Sequence, residues 1–165
     1  MFEKIDNLDD LFELKLQGLY DAENQLVKAL PKMAAKATDQ RLRMGLEQHL
    51  RETEAQVTRL EQVAQNLNLS LKGPGCKAME GLIDEGQEQM SMGGTDEVTD
   101  AIIIAAAQGV EHYEISQYGT VVHFAKQLGY MPEAELLQAS LDEEKNADEI
   151  LNQLAINSVD EQAMS

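Results

Sequence analysis

Eight residues of this chain belong to types that bind metal ions and recur at helical spacing: Glu23; His49, Glu52 and Gln56; Glu111 and Glu114; Glu144 and Asp148. Carboxylates offer hard oxygen donors, and an oxygen-rich set with at most one imidazole suits iron or manganese better than zinc. Position singles these residues out. Leu137, Leu141, Glu144, Asp148 and Leu151 follow one another at i+3 and i+4 steps, which puts both acids on the leucine face of a helix. Ala107, Val110, Glu114, Gln117 and Val121 carry Glu114 inward in the same way, with Glu111 on the flank one turn earlier. Leu16, Leu19, Glu23, Leu26 or Val27, and Leu30 do so for Glu23. The remaining stripe, Leu42, Leu46, His49, Thr53, Gln56 or Val57, and Leu60, is less regular. It turns His49, Thr53 and Gln56 inward and leaves Glu52 at the margin, and Glu52 with Gln56 is the i, i+4 counterpart of Glu144 with Asp148.

An ionised carboxylate buried without a partner costs several kcal/mol, and four or five would exceed the roughly 5–15 kcal/mol by which a domain is stable. Protonation, a buried Lys or Arg, or a bound cation would relieve that cost. No basic residue lies on the inward lines at this level, since Lys145 and Arg51 fall elsewhere around their helices. A metal ion is the simplest remaining partner.

The elements that must position these groups follow from the same periodicity. A first long helix starts near Leu8 and reaches Leu30, with Pro31 predicted to kink or end it before a continuation through Met33 to Lys36. Thr38-Asp39 caps a second, running to about Gln65. Leu71-Lys72-Gly73-Pro74-Gly75 and Ser91-Met92-Gly93-Gly94 bracket one short helix within a crossover over about residues 66–95. Thr95 or Asp96 caps a third long helix that stops at Gly129, and Pro132 opens a fourth through Ala155. The expected architecture is all-α: a single domain over residues 1–165, its core at about 8–156, with a frayed tail over 157–165. Two hairpins joined by one long crossover have the connectivity of a ferritin-like four-helix bundle.

Composition narrows the function classes. There are 30 acidic against 13 basic side chains, a formal net charge of −17, which repels phosphate backbones and anionic lipids and attracts cations. Neither nucleic acid nor membrane is an expected partner, and no apolar run of spanning length occurs. One cysteine allows no intramolecular disulfide and no rubredoxin-type cluster, so the expected address is cytoplasmic. No phosphate-binding glycine loop and no Ser-His-Asp order is present. Cys76 at a helix start reads either as a thiol of lowered pKa or as a small buried hydrophobe. His112 reads as solvent-facing or as supporting a ligand. Tyr20, Tyr113 and Tyr118 read as packed phenols, or as hydrogen-bond donors or redox-active phenols near the centre. Gly109 and Gly119 are expected to allow close helix approach.

Four strings in this order and spacing, Leu19-Tyr20-Asp21-Ala22-Glu23, His49-Leu50-Arg51-Glu52-Thr53, Val110-Glu111-His112-Tyr113-Glu114 with Tyr118-Gly119-Thr120, and Leu141-Asp142-Glu143-Glu144-Lys145 with Asp148, resemble the YciE/YciF family of ferritin-like proteins. The similarity runs from about Leu8 to Ala155. It implies a dimetal centre, di-iron with two ions per chain, in a bacterial cytosolic homodimer associated with stress responses. Position by position it implies Glu23, Glu52 with Gln56, Glu111 and Glu114, and Glu144 with Asp148 as ligands. One departure concerns the Glu-x-x-His pair that di-iron bundles carry on two helices: His49 here precedes Glu52 by three residues instead. Two functions fit these readings. One is an oxidoreductase of ferroxidase or peroxidase type, dependent on an external electron donor; the other is a non-enzymatic metal-binding or interaction protein in which the metal is structural and the acidic exterior recruits a partner. Nothing marks the contacts of a storage cage.

Overall fold

The computed structural model describes residues 4–164. Four long helices stand where the apolar stripes put them: α1 (Leu8–Lys36), α2 (Gln40–Leu67), α4 (Asp96–Leu128) and α5 (Met131–Leu154), with the shorter α3 (Lys77–Met92) inside the crossover. Each start has a local cause. The Asn7 side chain accepts from the Asp10 amide at 2.9 Å, Asp39 accepts from the Arg41 and Leu42 amides, and Thr95 accepts from Val98. Two stops are left-handed residues, Asn68 after α2 and Gly129 (φ 81°) after α4.

α1 and α2 form one antiparallel hairpin, α4 and α5 the other; α1 lies beside α4 and α2 beside α5, while α3 packs on α4 and the edge of α1. This is the all-α four-helix arrangement with a single long crossover. The crossover is tied down along α1: Gln17 donates to the Ser70 carbonyl at 2.9 Å, and the Cys76 amide donates to Asp21 at 2.6 Å. Gly73 lies so close to Gln17 that a β-carbon there would overlap its side chain. Asp100, buried on α4, accepts from Thr38 N, Thr38 Oγ1 and Asp39 N at 2.6–2.8 Å, and so fixes the α1–α2 turn to the second hairpin.

Three expectations are corrected. Pro31 does not end α1, which continues to Lys36, because Leu30, Met33 and Ala34 are buried on both sides of the proline and their packing outweighs one missing amide bond. The tail does not fray at residue 157: a π-helical stretch, Ala155–Val159, leads into a last turn, α6 (Asp160–Ala163), and Val159 is buried in the core. Ser165 lies outside the described residues. Gly109 and Gly119 allow no unusual approach, whereas Gly86 on α3 does, a β-carbon there falling 3.0 Å from that of Ala106.

The apolar core divides into two clusters. One contains Leu26, Leu30, Leu42, Leu46, Ile103, Val110 and Leu151; the other contains Phe12, Leu16, Leu19, Leu60, Tyr118, Val121, Leu137 and Leu141. On every long helix the change from one cluster to the other falls at the polar interruption of the stripe. The bundle is therefore two hydrophobic plugs with a polar layer between them.

Candidate metal centre

That layer is built one helix at a time. Glu23 comes from α1, His49, Thr53 and Gln56 from α2, Glu111 and Glu114 from α4, and Glu144 from α5; all are buried, with Glu23, Gln56, Glu114 and Glu144 fully so. Thr53 caps the His49 carbonyl with its hydroxyl at 2.9 Å, which leaves the imidazole free to face the layer. Ligand atoms of His49, Glu111, Glu114 and Glu144 all lie within 4.8 Å of one another. His49 Nε2 is 3.1 Å from Glu111 Oε1 and 4.0 Å from Glu144 Oε2.

Hydrogen bonding leaves this layer unsatisfied. Glu23 Oε2, both nitrogens of His49, Gln56 Oε1, Glu111 Oε2 and all four oxygens of Glu114 and Glu144 are buried without a hydrogen-bond partner. His49 Nε2 is close to Glu111 but is not aligned as a donor to it. Buried polar atoms are normally paired, so an orphaned set gathered at one point calls for a missing ligand. Among the described residues, no ion pair joins a Lys or Arg to any of the four carboxylates.

Proton affinity reflects the crowding. Burial, reinforced by the Glu144 charge, pushes the Glu23 carboxyl up to about 8. Glu111 and Glu114 rise well above the carboxylate range for the same reasons, burial first and neighbouring carboxylates second. Burial alone would lower the His49 imidazole, yet it rises, because Glu52, Glu144 and Glu23 together favour its charged form. Without a cation the layer holds protons instead.

Two supports flank it. Tyr118, fully buried, donates its hydroxyl to Glu23 Oε1 at 2.5 Å, so of the tyrosine readings Tyr118 is the donor at the centre. Tyr20 bonds Glu61 at the surface, and Tyr113 meets the buried Cys76 thiol at 3.1 Å. On the α2–α5 side Gln56 Nε2 donates to Glu143 Oε2 at 3.1 Å, and Arg59 clamps both oxygens of Glu143 at 2.6 and 2.7 Å. Because Glu143 can only accept, the amide of Gln56 must turn its NH2 outward and its oxygen toward the layer. The stripes did not anticipate the Arg59–Glu143 pair; its only signal was a basic residue three positions after Gln56.

Two expected residues stand apart from the rest. Glu52 sits at the edge, bonded to Gln48 at 3.0 Å, with its other oxygen 3.9 Å from His49 Nδ1. Asp148 does not face inward as its spacing suggested. It is half-buried and engaged from α4, by His112 Nε2 at 3.1 Å and by Gln108 at 3.5 Å, at the α4–α5 seam. His112 is correspondingly exposed, as expected.

With four carboxylates, one imidazole and one amide oxygen, the donor set fits a hard or borderline cation. Comparison with known proteins places it in context. A family model described as a domain of unknown function, DUF892, matches residues 7–164. The chain belongs to this family. It is 45% identical over 157 residues to the Escherichia coli (strain K12) protein YciF, covering 94% of this chain and 95% of that one. The crystal structure of YciF, called a stress protein of E. coli, superposes with a TM-score of 0.91 at 44% identity, covering 94% and 99% of the two chains. YcfI of Rhodopseudomonas palustris, for which a structural role has been suggested, gives 0.89 at 42% identity over 92% and 97%. A protein from Xanthomonas campestris pv. campestris shares the fold at 20% identity and a TM-score of 0.76, over 96% and 100%. The YciF resemblance read from the four strings therefore extends along nearly the whole chain. No helix among the described residues is long and apolar enough to cross a membrane.

Proposed function

We propose that this DUF892 protein is a dimetal carboxylate-bundle protein that binds two iron ions per chain and uses them in oxidoreduction of ferrous iron, dioxygen or peroxide during stress. Manganese is the alternative metal for the same donors. The observation that carries this reading is the orphaned, buried set of carboxylate oxygens around His49. Glu23, His49, Glu111, Glu114 and Glu144 are the ligands we assign, with Gln56 Oε1 a neutral oxygen donor and Glu52 a carboxylate able to reach in from the edge. Asp148 we assign to the rim, where it holds His112 and adds negative charge beside Glu111. Bound iron supplies one-electron chemistry and a position for a small oxidant. The protein's part is to hold carboxylates ionised that would otherwise be protonated, to keep bulk water away by means of the two apolar plugs, and to retain a phenol proton at Tyr118 beside Glu23.

A chain with one cysteine has no cysteine cluster to relay electrons, so repeated turnover requires an external donor. The stress association is carried over from the E. coli relative's description, and the homodimeric state and cytoplasmic address from the family resemblance. A second reading, a metal that only braces the bundle, is favoured by the near-complete burial of the ligands. Anaerobic titration with ferrous iron followed by oxygen separates the two. Rapid oxygen uptake at about two irons per chain, the ratio of dimetal bundles as a class, supports oxidoreduction. Tight binding with no uptake supports bracing, and no binding at all overturns both.

A further inference from the structure

Between α2 and α5 a cavity of about 40 Å³ runs from the surface to the metal layer. Its walls are Gly45, Leu46, Ala147, Ile150 and Leu151, with Gln48 and Glu52 along one side, and its floor is His49 and Glu111. Ile150 is 43% exposed, whereas Glu111 is 1% exposed, so one cavity connects the surface with a buried ligand. His49 Nδ1, buried and unpartnered, belongs to the residue at its inner end.

Gly45 has no packing reason to be glycine. A β-carbon built there meets no atom within 4 Å, and glycine inside a helix weakens it relative to other residues. Gly45 stands one turn before His49 on the same face, so what it leaves bare is the outer part of the cavity. By volume the cavity admits a molecule of roughly two or three heavy atoms. Apart from Gln48 and Glu52, which are bonded to each other, the wall is apolar and gives a hydrated ion little in exchange for its water, while a small neutral molecule crosses at little cost.

We infer that the cleft between Gly45 and Ile150 is the passage by which a small uncharged oxidant, of the dioxygen or hydrogen peroxide class, reaches His49 and Glu111. The identity of the molecule rests on the dimetal reading; the existence of the passage does not. Metal ions then use another route.

The test uses Gly45→Leu, which favours the helix and fills the mouth, and Ile150→Ala, which widens it at an already exposed position. In crystals of the metal-free full chain under xenon pressure, xenon is expected beside Ala147 and Leu46 in the wild type and absent in Gly45→Leu. In iron-loaded protein the second-order rate with oxygen is expected to fall at least tenfold in Gly45→Leu and to rise about twofold in Ile150→Ala. Anaerobic binding of cobalt(II), followed by its absorption, is expected to keep its rate and stoichiometry in both variants. The inference is overturned if wild-type xenon is absent, if Gly45→Leu reacts with oxygen at the wild-type rate, or if cobalt binding slows in parallel with oxygen. If no metal binds the wild type, the dimetal reading fails while the xenon result still decides the passage.

Discussion

Arg59 grips both oxygens of Glu143, and through Glu143 it decides which end of the Gln56 amide faces the metal layer. A guanidinium about a quarter exposed thus orients a group that is fully buried. Arg59→Met removes the clamp without removing any ligand. Metal affinity is expected to drop about tenfold or more, as for other residues that orient ligands. Competition against a chelator measures it. Unchanged affinity would show that Gln56 orients itself.

The metal-free protein is expected to lose stability as pH rises. Burial pushes the folded Glu23 carboxyl up to about 8, far above the ordinary carboxylate range, and Glu111, Glu114 and His49 are shifted in the same upward direction. A raised folded pKa means that the native state binds more protons than the unfolded one, so this stabilisation is complete below the unfolded pKa and is lost as pH climbs through the folded value. Tm in chelator is therefore expected to fall between about pH 5 and pH 8. Metal replaces those protons, so the gain in Tm on adding iron anaerobically is expected to grow over the same interval. A flat apo profile would contradict the picture of a proton-filled layer.

Glu114→Gln keeps the shape and deletes a charge. At pH 8 the metal-free variant is expected to be more stable than the parent, by about 1–3 kcal/mol in urea unfolding, because the parent must take up a proton at this buried site on folding and the amide need not. The same variant is expected to lose metal. Gain of apo stability and loss of binding in one substitution distinguish a ligand from a residue that merely packs.

Asp148→Asn tests the rim assignment. Its carboxylate is committed to His112 and Gln108, so iron stoichiometry by elemental analysis is expected to stay at the wild-type value. A drop in stoichiometry would return Asp148 to the ligand set implied by the family resemblance.

Tyr118→Phe removes the only hydroxyl shown donating to Glu23. Leaving a buried acceptor unpaired is expected to cost about 1–3 kcal/mol of stability, read by thermal or urea unfolding with chelator present.

The long helices were legible because each stripe is sustained over many turns and ended by a capping residue, Asp39 and Thr95 at starts, Gly129 at a stop. Glu23, Glu114 and Glu144 were legible for a related reason: an acid in line with leucines before and after it has nowhere to point but inward. Asp148 satisfied the same spacing and still missed the layer, because spacing fixes an angle about one helix but not where that helix meets its neighbours. Arg59 with Glu143 and Asp100 with Thr38 were hidden because their partners lie 84 and 62 positions away. The tail was misread because Val159 is one apolar residue among polar ones, and its burial depends on the surface that α4 and α5 offer.

The crossover has a consequence for how the centre is made. Glu23 and His49 travel on the leading hairpin, Glu111, Glu114 and Glu144 on the trailing one, and α3 lies between them in the chain. The trailing half alone brings three carboxylates within 4.8 Å of one another, and the leading half adds the imidazole and a further acid. Those three carboxylates are shut off from water only when the leading half packs over them. A cation held by donors from both halves would fasten one to the other, so a chelator is expected to loosen the seam between them, as opening the clasp loosens a book whose covers are each complete.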